Sequence, residues 1–153
     1  MTPAQIHLAL NHFPIAGMII SFMILLWGLF SKIDHIKTVG ITIMLLSSVL
    51  GFVVAQTGDG AEEIVEHKPL VTEQYIHEHE QAADIAMVVF DISAFLGVVW
   101  FILRWRKNNQ AEKVFYLIIV SVFSSSILIA DAAHKGGQIR HDEIRINNLV
   151  KIK

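Results

Sequence analysis

Four long apolar runs, Phe13–Phe30, Val39–Ala55, Ile85–Leu103 and Val114–Ala130, alternate with short charged or histidine-rich connections. Each run is close to the ~20 residues that an α-helix needs to cross a hydrocarbon core. Flanking amphipathic residues make up the small shortfall. The pattern predicts an all-α integral membrane protein, a four-transmembrane-helix antiparallel bundle of up-down-up-down order, with residues 1–153 forming a single domain. Small residues at Gly17, Gly51, Gly97 and Ser124–Ser126 allow close helix approach.

The ends of the spans carry their own signals. Thr2-Pro3 reads as an N-cap followed by a first-turn proline, so Pro3–Leu10 is expected as a short interfacial helix. Pro14 restricts Phe13 and marks the entry of the first span. Gly136-Gly137 is expected to stop the fourth helix. Beyond it, a surface tail over 135–153 is amphipathic, and residues 56–84 form a long loop rich in histidine and acids.

Composition narrows the class. The chain is 54% hydrophobic and 17% charged, where soluble domains carry roughly a quarter charged residues. A formal net charge of −2 offers no basic surface for nucleic acid. Cysteine is absent, which removes disulfides, thiolate-held iron–sulfur clusters, Cys-rich zinc sites and covalent haem attachment through CxxCH. Any haem must be held non-covalently. Met1 to Ser31 contains no Lys or Arg, so the first apolar segment reads as a retained helix rather than a basic-led signal.

Lys32, Lys37, Arg104, Arg106, Lys107 and Lys113 cluster in two short connections. Lys68 and five further cations lie on the opposite side, the five in the tail. Counting cations near span ends puts the short loops in the cytoplasm. Both termini and the long loop then face the periplasm, from a bacterial inner membrane.

Seven of the eight histidines fall on that outer side: His7, His12, His67, His77, His79, His134 and His141, with His35 alone opposite. Imidazole is the commonest protein metal ligand and titrates near neutral pH. A one-sided belt points to metal, haem or proton chemistry.

Three clusters carry the candidates. In HLALNHFP, His7 and His12 are five apart, about 140° around a continuous helix, and meet one ligand only where the chain breaks. The long loop gathers Asp59, Glu62, Glu63, Glu66, Glu73, Glu78, Glu80 and Asp84 beside His67, His77 and His79. One helical turn brings Glu63 to His67. Glu80, Asp84 and Asp91 share a face of the third span. Asp91 lies inside the apolar run and is expected to face the bundle interior, because a charge in hydrocarbon is costly. At the end of the fourth span, Asp131 and His134 are three apart. The carboxylate is then placed to orient the imidazole or to share a metal with it. Only one such acid-x-x-His element is present, where di-iron bundles use two. His12, His79 and His134 end three spans at one depth and are expected to meet, joined by His7, His67 or His141.

Taken in order, HLALNHFPI, TGDG, HEHEQAAD and AAHKGGQIRH resemble a bacterial membrane family catalogued as domain of unknown function 2231. Leu8 stands where the family often has proline. The resemblance covers nearly the whole chain and carries over His7, His12, Asp59, His79, Glu80, His134 and His141 as motif residues. Similar domains occur joined to cytochrome c-like or Rieske-type modules, so the resemblance implies a redox partner of that kind.

Three readings follow. The leading one is a b-type haem protein passing electrons at the outer face, with axial ligands drawn from His12, His79, His134 and His141. A second is a mono- or dinuclear zinc, iron or copper site of His7, His12, Asp59, Glu63, His67, His79, Glu80 and His134. In both, Asp84, Asp91 and Asp131 are candidate buried or proton-carrying acids. A third is a non-catalytic docking subunit. No HExxH, nucleotide loop or Ser-His-Asp order anchors a hydrolase.

Overall fold

The computed structural model describes residues 2–65 and 71–141, Arg140 by its backbone alone. Among them the chain forms α1 (Pro3–Leu10), α2 (His12–Ser31), α3 (Asp34–Ala55), α4 (Gly58–Val65), α5 (Glu73–Trp105) and α6 (Gln110–Arg140), and no strand. Helix α2 with α1, and α3, α5 and α6, are each long and apolar enough to cross a membrane. The four expected apolar runs all lie inside these helices. The protein is a multi-pass membrane bundle.

Two hairpins, α2–α3 and α5–α6, make the most extensive packing, and α2–α6 and α3–α5 close the ring. The buried residues explain how. In α2 they are Pro14, Met18, Ser21, Leu25 and Gly28; in α3 the run is Lys37, Gly40, Met44, Ser47 and Gly51, with Ile41 and Ser48 buried beside it. In α5 the run is Ala86, Phe90, Ser93, Gly97 and Trp100, and in α6 it is Ala111, Phe115, Ile118, Val122 and Ser125. Every run alternates steps of four and three. That 3.5-residue repeat is the seam of left-handed bundles, with helices about 20° from antiparallel.

Close approach is written into the seam. A side chain at Gly17 would collide with Ser47 Oγ, and one at Gly97 would lie 2.5 Å from Met44 Cε. Buried hydroxyls bind across helices: Ser21 Oγ donates to the Gly40 carbonyl at 2.9 Å, and Ser93 and Ser125 pair at 3.2 Å. In hydrocarbon such bonds satisfy groups that have no water to turn to.

The loop end distant from the N-terminus is clamped by ion pairs. Arg104 binds Asp34 between α5 and α3. Lys37 is only 4% exposed, and its Nζ reaches Glu112 on α6 at 2.7 and 2.9 Å while lying over the Phe115 ring. The sequence places Lys37 in a connection; the structure turns it inward, because Gly28 on α2 leaves room for its stem. Trp27 and Trp105 are exposed at this same end, as a membrane-interface aromatic belt requires.

Helix α5 has 33 residues, about 50 Å at 1.5 Å per residue, against a hydrocarbon core of about 30 Å. Its first turns therefore stand clear of the core. The expected long loop is accordingly mostly helical, formed by α4 and the start of α5. Helix α1 forms as expected, with Thr2 and Gln5 making a reciprocal capping box. Gly136-Gly137 does not end α6, which continues to Arg140. Gly136 lies against α5, so its missing side chain serves helix contact rather than termination. The tail beyond His141 lies outside the described residues.

Candidate functional site

All six described histidines other than His35 stand at one end of the bundle, made by α1, α4, the end of α3, the start of α5 and the end of α6. Depth brings them together; rotation about each helix axis sorts them. His7 precedes Pro14 by seven residues and His79 precedes Ala86 by seven, so both continue an inward seam. Both are half-buried.

Their partners match. His7 Nδ1 lies 3.1 Å from the Val54 carbonyl, and His79 Nδ1 lies 2.9 Å from the Ala132 carbonyl. A carbonyl oxygen only accepts, so each Nδ1 carries the hydrogen. Each Nε2 keeps a lone pair that no described residue engages. This is how proteins orient a ligating imidazole, by anchoring the other ring nitrogen on a backbone carbonyl.

Two features surround the pair. Gly136 lies against the His79 ring, where a Cβ would be 3.0 Å from Cε1 and 3.2 Å from Nδ1. Asn11 stands one turn after His7, and its buried Oδ1 has no hydrogen-bond partner among the described residues. Buried acceptors of this kind are few in folded proteins. Glu80, which follows His79 on α5, acts on Glu62 of α4 through their side chains and holds the Glu62 carboxyl above the usual carboxylate range. Partial burial and the negative charges of Glu80 and Asp59 act in the same direction.

Several expected ligands are placed elsewhere. His12 is exposed: Asn11 keeps a right-handed helical backbone (φ −58°, ψ −26°), so α1 and α2 run on without the break that would bring His12 round to His7. His134 is exposed and pairs with Gln138 at 3.2 Å. Asp131 binds Lys135 at 2.8 Å and does not orient His134. His77, His141, Asp59 and Glu63 are exposed, and His67 with its expected partnership to Glu63 lies outside the described residues. The expected meeting of His12, His79 and His134 is thus not formed: of the three only His79 is turned inward, as is His7. Among the described residues no three His, Asp or Glu side chains converge as a metal-ligating group.

The buried-acid expectation also fails. Asp84, Asp91 and Asp131 are all exposed. Asp91 directly follows seam residue Phe90, and the register turns it outward whatever the cost of its charge.

The inward placement of His7 and His79 was legible as register, had the four-three repeat been extended from the spans into the flanking turns. Asn11 and Gly136 fall on the same repeat. The Glu62–Glu80 contact was not, because the position of α4 follows from a contact between Gly60 and Pro3 of α1 rather than from any period. No family model matches the chain, and no curated protein and no solved structure is similar to it.

Proposed function

We propose that the protein is a membrane-bound b-type haem protein that passes electrons at the histidine end of the bundle, where His7 and His79 would hold the haem iron. The observation that carries this reading is the shared geometry of the two imidazoles, each anchored through Nδ1 on a carbonyl of a neighbouring helix with Nε2 engaged by no described residue. Ligand number favours haem over a bare ion. Zinc sites draw three or four ligands from protein, whereas haem iron takes only its axial ligands from the chain. Two inward histidines with no third ligand converging among the described residues fit the second case.

Haem when bound supplies one-electron chemistry at its iron; the protein sets the ligand orientation, the polarity and the access. The Val54 and Ala132 carbonyls fix both tautomers. Asn11 Oδ1 offers an acceptor on the His7 side, and Glu80, next to His79 in the chain, raises the carboxyl of Glu62 above its ordinary range. The outer, periplasmic placement and a cytochrome c-like or Rieske-type partner belong to the same proposal, supported by the cation count of the short loops and by the motif resemblance.

The test is an absorption spectrum of detergent-purified protein, oxidised and then dithionite-reduced, with metal analysis on the same sample. A Soret band that sharpens on reduction, with one iron per chain, supports the reading. A colourless protein with stoichiometric zinc, copper or iron shifts it to a non-haem site, and a metal-free colourless protein to a docking subunit.

A further inference from the structure

Asp91 is an exposed carboxyl with apolar side chains next to it on the outward face of α5. Around it Val88, Ile92 and Phe95 are exposed, while its neighbour Phe90 is fully buried on the other side. It lies fourteen residues from Trp105, which is 84% exposed at the aromatic belt. At 1.5 Å per residue that is about 21 Å along α5, within a hydrocarbon core about 30 Å thick. Asp91 makes no hydrogen bond or ion pair with any described residue. Ionisable groups at such depth are expensive and face a partner or a water-filled cavity.

The face around it has the form of a helix-docking surface. His77, Gln81, Asp84, Val88, Asp91 and Phe95 are all exposed and follow the same alternation of four and three that builds the internal seams. A helix laid along this outward seam would meet Asp91 inside the core, about 9 Å from its histidine-side edge.

Charge decides the occupant. Between residues 38 and 103 the sole Lys or Arg is Lys68, and residues 13–31 and 114–134 hold none. A second copy of the chain, inserted in the same direction, therefore brings no cation to the depth of Asp91. We propose that the outward face of α5 docks a transmembrane helix of a different protein that carries a Lys or Arg at this depth, its cation pairing with Asp91. The pair would satisfy both charges out of water, and its loss on either side would leave the other stranded. This inference does not depend on haem.

The test uses the full chain in phosphatidylcholine vesicles, labelled through a single cysteine introduced as Lys107→Cys in the exposed loop. Energy transfer is measured to two synthetic leucine-rich transmembrane peptides, one with a single Lys at the depth of Asp91 and one with none. The proposal expects at least tenfold tighter association of the Lys peptide, lost in Asp91→Asn and retained in Asp84→Asn, with unchanged helicity in both variants. Equal association of the two peptides overturns it. So does Asp91-dependent energy transfer between copies of the chain, which would make the face a self-association surface.

Discussion

His79 and Gly136 touch across α5 and α6 so closely that a single added carbon at Gly136 would lie 3.0 Å from the imidazole. The contact holds the ring between the helix backbone and the Ala132 carbonyl that fixes its tautomer. A glycine inside a helix costs about 1 kcal/mol relative to alanine, so its presence at this position is explained by the ring it accommodates.

Gly136→Ala is therefore expected to tilt His79 off Ala132 while the helix gains propensity. Haem retention, measured as haem per chain after detergent purification, should fall several-fold with a thermal midpoint within a few degrees of the parent. Gly58→Ala, where an added Cβ meets nothing within 4 Å, should leave retention unchanged. Equal retention in both variants would contradict the placement of His79.

The clamp at the opposite end gives an asymmetric pair of variants. Glu112→Ala leaves the buried Lys37 ammonium over Phe115 without its carboxylate, whereas Lys37→Met keeps the stem and removes the charge. Stranding one member of a buried pair costs a few kcal/mol, while an apolar replacement of similar shape is often near neutral. Because Glu112 is half-exposed, about 2 kcal/mol is expected for Glu112→Ala and less than half of that for Lys37→Met. Thermal unfolding in one detergent checks the order, and the reverse order refutes the burial of Lys37.

The four spans were legible because lipid-facing and core-facing positions are both apolar, which makes a membrane helix visible as an unbroken run. That same uniformity hides rotation. Asp91 shows the consequence: a cost argument alone sends it inward, whereas the buried neighbours Phe90 and Ser93 fix the register that turns it out. The histidines divide in the same way. His7 and His79 lie on seam positions and His12 and His134 do not, a distinction that depth along the helix cannot make. Gly136 misled for a different reason, since a glycine that ends a helix and one that admits a neighbouring ring look alike in sequence.

A pH effect follows from Glu62, whose carboxyl is held above its ordinary value of 4.5 chiefly by the side chain of Glu80. Between that value and the raised one, the folded protein binds more protons than the unfolded chain. The contact between α4 and α5 is thus strongest below this window and weakens as pH rises through it. Amide exchange in α4 should accelerate across the window, and Glu62→Gln should flatten the dependence. Acceleration on lowering the pH instead would reverse the sign and contradict the raised carboxyl.

The account rests on inward register, rather than histidine content, selecting the ligands. Its most direct measurement is haem per chain, from reduced-minus-oxidised spectra, in His7→Ala, His79→Ala, His12→Ala and His134→Ala, with helicity checked in each. Loss of haem in the first two and full retention in the last two is the predicted result. Loss in His12→Ala or His134→Ala with retention in His7→Ala and His79→Ala would contradict it.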